Sequence, residues 1–294
     1  DNFSIFSSVM LIYYKLYLVN HSIQILEHNK LLLINLEKTA QAHYAVAKAS
    51  QQDVFRAQTE ITRLISRLLM LKQERDSLLA DMNRLLNRPP AAPLFVSSVL
   101  HYTPLHHSLL EFNIRLEKIS PLFLMSLKNV QRSERAVALA KSDYLPDFEV
   151  GVMRMNKKTN SATENGYEVG LNVKIPLYFA SKQNQGVREA VANRESALEN
   201  LQNLKEDLLF QIKDNILTIK RTNEIVVLTK NTLIPQSYYT FTSAKASYAV
   251  GKVDFLTLLD SLLTLQENEL ELLSEQAEHE KAIARLEGIL GEEL

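Results

Sequence analysis

The chain of 294 residues has no cysteine and no tryptophan, and only 7 glycines and 8 prolines. Without cysteine this chain holds no disulfide, thiolate metal site, cysteine nucleophile or acylated amino-terminal cysteine, although exported proteins need none and the compartment stays open. So few turn formers exclude a loop-rich globule. Charge of one sign is also missing. A net charge of -1 and a pI near 6.7 leave no footprint for nucleic acid or an anionic membrane surface. The most apolar early run, Val9 to Val19, is interrupted by Lys15 and falls short of the ~20 residues a helix needs to cross a bilayer. Residues Asp1 to Ser4 carry neither the basic stretch nor the small-residue cleavage site of a leader, so the chain is expected to be mature, processed or truncated. Nucleophile elbow, P-loop, zinc-helix motif and dinucleotide fingerprint are all absent, which argues against an enzyme and calls for no cofactor.

What is there instead is a repeat in a helix-forming composition. Tyr44, Ala45, Val46 and Lys48 recur 204 residues on as Tyr248, Ala249, Val250 and Lys252, with Ala40 and Ala42 matched by Ala244 and Ala246. Each copy ends one long helical run and begins another, so each reads as the tip of a helical hairpin. Ser50 and Asp53 have the spacing of a capping box at the start of the first return helix. In the second copy Gly251 suits a left-handed helix end, Asp254 a cap, and Gly291 the end of the last helix. Leu64, Leu71, Leu78 and Leu85 fall seven apart, interleaved with Ile61, Leu68 and Met82, which is a coiled-coil seam. The second copy keeps it as Leu265, Leu272 and Leu286. Arg75 and His279, which interrupt the two seams at one level, are read as snorkelling or facing a neighbouring helix.

Between the repeats the pattern changes. The prolines after Arg88 end the first hairpin, and a connector to Ser120 holds His101, His106 and His107, read as solvated linker histidines rather than a metal site. Ser120 and Pro121 look like an N-cap and first helical position of a helix running to about Tyr144. Tyr167, Val169, Leu171, Val173 and Ile175 then alternate with polar residues, and Phe148, Val150 and Val152 do the same, so Phe148–Met155 and 167–175 form a strand pair. Asn156 to Gly166 reads as a long exposed loop between them. Alternation alone fits an ordinary hairpin on a helix or part of a transmembrane barrel. A lone strand pair is marginal in water, and the helices spend their apolar stripes on seams, which favours the barrel. Lys182 to Ser247 is one long helical run broken only at Pro235.

The expected fold is therefore mainly α: long antiparallel coiled-coil hairpins in two repeats, with one β-hairpin contributing to a transmembrane barrel. The segments are 1–88 for the first, incomplete hairpin, 89–120 for the connector, 121–145 for a helix leading to the membrane, 146–177 for the β-hairpin, and 178–294 for the second long helix and hairpin.

These features in this order, with DYLPDF at Asp143 to Phe148, IPLY at 175–178, both tips and LEGILG at Leu286 to Gly291, resemble the TolC-type outer-membrane efflux factors. MNRLLNRPP at Met82 to Pro90 is similar to the heavy-metal-efflux branch. The resemblance implies a homotrimer in the outer membrane of a Gram-negative bacterium, with a twelve-stranded barrel in lipid and a periplasmic helical tunnel. It implies a passive exit duct for small molecules, metal ions or polypeptide in a tripartite efflux or type I secretion system. A periplasmic adaptor would contact the tips at Ala47, Lys48, Gly251 and Lys252, and link the duct to an inner-membrane pump. It also implies that Asp53, Tyr248 and Asp260 are gate residues, while the gate's arginine is matched by Val253.

Two of the gate residues have a plainer reading beside this one. Asp53 is accounted for by capping, and Tyr248 by packing at the hairpin neck shared with Tyr44. Asp260 has no such local account: it stands on an apolar stretch beside a seam, where a carboxylate is costly unless paired, which makes it the best single candidate for a lumen-facing or gating charge. Ala47 replaces the usual first-tip glycine, so that tip is expected to be stiffer or differently shaped. Everything in the first repeat matching Ser120 to Leu204 is missing, so the chain is expected to be a truncated or split form, since two strands per chain give a trimer fewer than the eight of the smallest membrane barrels. The competing function is a coiled-coil scaffold with no membrane strand.

Overall fold

The structure, a computed structural model, describes residues 2–95, 100, 102–105, 108–159, 162–177 and 179–294, with backbone alone at 2–4, 157–159, 162–164 and 179–180. In chain order the elements are α1 (Asn2–Ala45), α2 (Gln51–Leu85), α3 (Leu109–Ile119), α4 (Pro121–Ser142), β1 (Asp147–Thr159), β2 (Ala162–Lys174), a π-helical turn (Phe179–Gln183), α5 (Asn184–Leu228), a second π turn (Thr229–Leu233), α6 (Ile234–Ala249) and α7 (Phe255–Leu290). The protein is mainly helical with one two-stranded antiparallel sheet.

Residues 1–121 and 209–294 form one compact unit. Its core is built where the apolar stripes of four helices meet: Leu26, Leu33 and Leu36 of α1, Leu64 and Leu68 of α2, Phe241 and Ala244 of α6, and Phe255, Leu258, Leu262 and Leu265 of α7. Each such large side chain, fully buried, stabilises the unit by about 1.5–3 kcal/mol before conformational entropy is subtracted. The seam read from heptad spacing is therefore the buried edge of α2, and it packs on α1. Gly288 of α7 faces Ser7 of α1 so closely that a Cβ there would lie 2.7 Å from the Ser7 hydroxyl, which itself donates to the Ala284 carbonyl at 2.8 Å. Glycine at this position is a packing requirement between two helices.

Three details of this unit differ from the sequence expectation. The connector, where the sequence predicts no helix, carries one: Ser108 caps α3, accepting from the Glu111 amide at 3.3 Å, while Glu111 accepts the Ser108 amide at 3.1 Å. Ser120 is fully buried, and its hydroxyl donates to the Ile289 carbonyl at 2.7 Å, so it ties the connector to the end of α7 rather than serving only as a helix start. Pro235 does not break the long helix where it stands. Thr229–Leu233 widen into the π turn, where the Ile234 amide bonds the Thr229 carbonyl, and Pro235 then enters the first turn of α6, where its missing N–H is harmless.

Residues 122–208 form the other unit. Within it Arg194 of α5 lies 4.0 Å from Glu134 of α4, and β1 pairs with β2 over thirteen residues each. The register sets Phe148 opposite Val173, Val150 opposite Leu171, and Val152 opposite Val169, so the alternating apolar residues share one face. The long loop expected over 156–166 is absent: pairing continues to Thr159 and Ala162, since polar residues serve a strand as well as a loop when neither face is buried. Val150, Val152, Leu171 and Phe148 are each 70 % exposed. No helix among the described residues is long and apolar enough to cross a membrane.

Candidate gate at the hairpin tips

The two tips turn by the same hydrogen bonds. At the first, the Ala47 amide donates to the Tyr44 carbonyl at 3.0 Å and the Lys48 amide to that of His43 at 2.8 Å. At the second, Gly251 donates to Tyr248 at 3.0 Å and Lys252 to Ser247 at 2.9 Å. Both turns end a helix with one left-handed residue, Ala47 at φ 57° and Gly251 at φ 73°. The expectation of a differently shaped first tip is thus corrected. Ala47 adopts the glycine geometry, and the bulk of its Cβ appears as backbone strain instead of a new shape. Ser50 and Asp254, equivalent positions, then start the return helices with extended backbone.

The caps use different atoms. Asp53 accepts the Ser50 amide at 3.1 Å, which bears out its capping role. Asp254 accepts the Thr257 amide at 2.9 Å, and hydrogen bonding from Thr257 holds its carboxyl below the usual aspartate range. Lys48 and Lys252 are exposed.

Tyr248 is 5 % exposed, stacked on His43 with ring centroids 5.0 Å apart and edge-on to Phe255 at 5.7 Å. Its hydroxyl is buried with no hydrogen-bond partner among the described residues. Burial, and after it the Asp53 carboxylate, push the phenol up. The neck-packing reading holds for Tyr248 and fails for Tyr44, which is 47 % exposed: the repeat conserves the residue while its surroundings differ. His43, the partner of Tyr248, has Ser247 as its equivalent, so the repeat gave no signal for it.

Asp53 and Tyr248 are thus brought into electrostatic contact, whereas Asp260 stands apart. It is exposed, and it has no hydrogen bond or ion pair among the described residues. It borders a cleft of about 600 Å³ between α2 and α7, together with Phe55, Arg56, Leu256 and Leu259. Arg56 also acts on Asp254 to lower its carboxyl. Spacing within one repeat could not show this, because the cleft joins different repeats.

Of the two seam interruptions, Arg75 pairs with the neighbouring Asp76 at 2.9 Å. His279 does not snorkel. It is 2 % exposed, stacks on Tyr102 of the connector with centroids 4.1 Å apart, and its Nε2 lies 3.0 Å from the Thr103 carbonyl. The adjacent Glu280, also buried, accepts the Thr103 amide at 3.0 Å and the Thr103 hydroxyl at 3.1 Å. Both backbone groups of Thr103 are thus held by α7, which satisfies the polar groups that burial would otherwise penalise. His101, His106 and His107 lie outside the described residues. Among the described residues no group of three or more acidic or histidine side chains is arranged to hold a metal.

Long helical hairpins with equivalent tips, and a strand pair with an exposed apolar face, are elements shared with outer-membrane channels that combine a helical tunnel with a barrel. The chain matches two solved structures of such channels across almost its whole length. One is the outer-membrane channel OprN, with TM-score 0.85 and 17% identity over 98% of this chain and 66% of that one. The other is the outer membrane protein VceC of Vibrio cholerae, with TM-score 0.85 and 15% identity over 99% and 70%. The chain belongs to the outer membrane efflux protein family, whose pattern matches residues 115–292. Members of that family are outer-membrane channels of Gram-negative bacteria and carry out no enzymatic step. Among curated proteins it is similar to the cobalt-zinc-cadmium resistance protein CzcC of Cupriavidus metallidurans, 25% identical over 174 residues, which is 58% of this chain and 40% of that protein. The chain therefore spans well under half the length of that relative and about two thirds of OprN.

Proposed function

We propose that this chain supplies the tunnel and one strand pair of a passive outer-membrane exit duct, assembled as a trimer and opened when a periplasmic adaptor engages the hairpin tips. The observation that carries this is the β1–β2 pair: a matched apolar row 70 % exposed at Phe148, Val150, Val152 and Leu171, on a sheet too small to stand in water. Outward apolar alternation over two neighbouring strands is what lipid requires of a barrel wall. A soluble coiled-coil scaffold leaves that row unexplained.

The domain reading follows from this: 1–88 as first hairpin, 89–120 as connector, 121–145 leading to the membrane, 146–177 in the barrel, and 178–294 as second long helix and hairpin. Ala47, Lys48, Gly251 and Lys252 are the exposed turn residues available to an adaptor. Asp53, Tyr248 and Asp260 are the gate candidates, with Tyr248 set in the neck of the second hairpin and Asp260 on the open cleft. The similarity to CzcC favours divalent metal ions as cargo and an inner-membrane metal pump at the far end of the assembly. The driving force belongs to that pump, because a duct only provides the path.

The test is restoration of cobalt, zinc and cadmium tolerance in a Gram-negative host lacking its own exit duct but carrying a matched adaptor and pump. Tolerance should return with the intact protein and fall with Gly251→Asp/Lys252→Glu, which reverses the charge of the second tip. Normal membrane insertion with no gain in tolerance to any of the three metals would refute the metal reading.

A further inference from the structure

A half-open cavity of about 580 Å³ lies between the connector and α5, away from the tips and unused by the exit-duct reading. Its apolar wall includes Leu105 and Leu109 from the connector side, and Ile216 and Leu217 from α5. Leu109 is 44 % exposed and Leu217 55 %, so the wall faces solvent. Its back is fixed. Tyr102 is stacked on His279 and donates to the Asn223 side-chain carbonyl at 2.6 Å, and Glu280 and His279 hold Thr103 from behind. A cavity whose wall is pinned in this way loses little freedom when a ligand enters.

Among the described residues the charged side chains lining the cavity are of one sign. Lys213 and Lys220 border it from α5, two helical turns apart, with Ile216 and Leu217 between them on the same face. Neither lysine has an ion-pair or hydrogen-bond partner among the described residues. Glu280, which lies behind Thr103, is buried and already accepts both Thr103 donors. The Asn223 oxygen is taken by Tyr102. Among the described residues the cavity thus offers two cationic donors and an apolar wall, with no carboxylate in its lining.

We infer that this cavity binds a single-chain amphiphilic anion, its carboxylate or phosphate head between Lys213 and Lys220 and its apolar body along Leu105, Leu109, Ile216 and Leu217. Apolar burial supplies the affinity and the two ammonium groups select the head. A neutral amphiphile of equal length would keep the first contribution and lose the second.

The experiment uses the whole chain held in amphipol with no free detergent, and a diazirine-bearing C12 fatty acid as photoprobe. Laurate, dodecyl phosphate and dodecanol are then compared as competitors. Labelling is expected within 102–105, 108–109 and 213–223. Either anion should compete at least tenfold better than dodecanol, and the ratio between the two anions separates a carboxylate from a phosphate ligand. Lys213→Gln/Lys220→Gln should abolish that preference while leaving dodecanol competition unchanged, and the double arginine variant should restore it. Equal competition by dodecanol, label spread over the chain, or an unchanged preference in the double glutamine variant would overturn the proposal. None of these outcomes bears on whether the protein is an exit duct.

Discussion

Replacing Ala47 by glycine changes one methyl group at the first tip, and the structure fixes the sign of the effect. Ala47 sits at φ 57°, where the Cβ of an L-residue meets its own carbonyl and costs about 1–2 kcal/mol. Glycine removes that strain but brings roughly 0.5–1 kcal/mol of extra unfolded-state entropy. The net is a stabilisation of about 0.5–1 kcal/mol, confined to the turn. The reverse change at the equivalent site, Gly251→Ala, should destabilise by a similar amount. No atom lies within 4 Å of a Cβ built there, so the penalty is backbone strain alone. The assay is hydrogen exchange at the Lys48 and Lys252 amides, which close the two turns onto His43 and Ser247. Ala47→Gly should slow Lys48 exchange by about two- to fivefold and leave Lys252 unchanged, and Gly251→Ala should speed Lys252 by a like factor. Faster exchange at Lys48 in Ala47→Gly, or no effect of Gly251→Ala, would show that the tips do not share the left-handed turn.

Three further outcomes follow from other sites. Gly288→Ala should lower stability by about 1–3 kcal/mol, because its methyl would lie 2.7 Å from the Ser7 hydroxyl, and Ser7→Gly in the same chain should recover most of it; denaturant unfolding of the two singles and the double reads the coupling. Tyr248→Phe should be neutral or slightly stabilising, since the lost hydroxyl has no hydrogen-bond partner among the described residues, whereas Tyr248→Ala should cost about 3–5 kcal/mol; a marked loss with phenylalanine would mean the hydroxyl is engaged across subunits. The cap at Asp254 has a depressed folded-state pKa, so its contribution is full above the ordinary aspartate range and is lost as pH falls through the lowered value; Thr257 amide exchange should rise on that acidification in the parent and stay flat in Asp254→Asn, which caps without titrating.

Local chemistry was readable wherever it is local. The repeat located both tips, and Ser50, Asp53, Asp254, Gly251 and Gly291 each took the role that their spacing assigned. The seam positions were found because heptad periodicity is a property of one helix. Positions whose state depends on a distant segment were not readable in this way. His279 looked like a seam defect until the connector, far away in sequence, covered it with Tyr102 and Thr103. Asp260 sits among apolar neighbours in sequence, and helix geometry turns it outward from Leu258, Leu259 and Leu262, all buried, onto a cleft that exists only because α2 lies beside α7. The strand ends beyond Met155 were missed because polar residues carry no alternation signal when both faces are open. Tyr44 and Tyr248 show the limit of repeat reasoning, since one sequence motif serves an exposed and a buried ring.

The account depends most on the apolar face of β1 and β2 being a lipid face. The chain has no cysteine, so single cysteines can be placed without background. In the membrane-inserted protein, cysteines replacing Val150, Val152 and Leu171 should resist a charged, water-soluble maleimide and be quenched by brominated lipid. Those replacing Glu149 and Asn172, paired with each other in the register, should react with the maleimide and escape the quencher. Equal maleimide reactivity on both faces, with no quenching on either, would contradict the barrel assignment and the exit duct built on it.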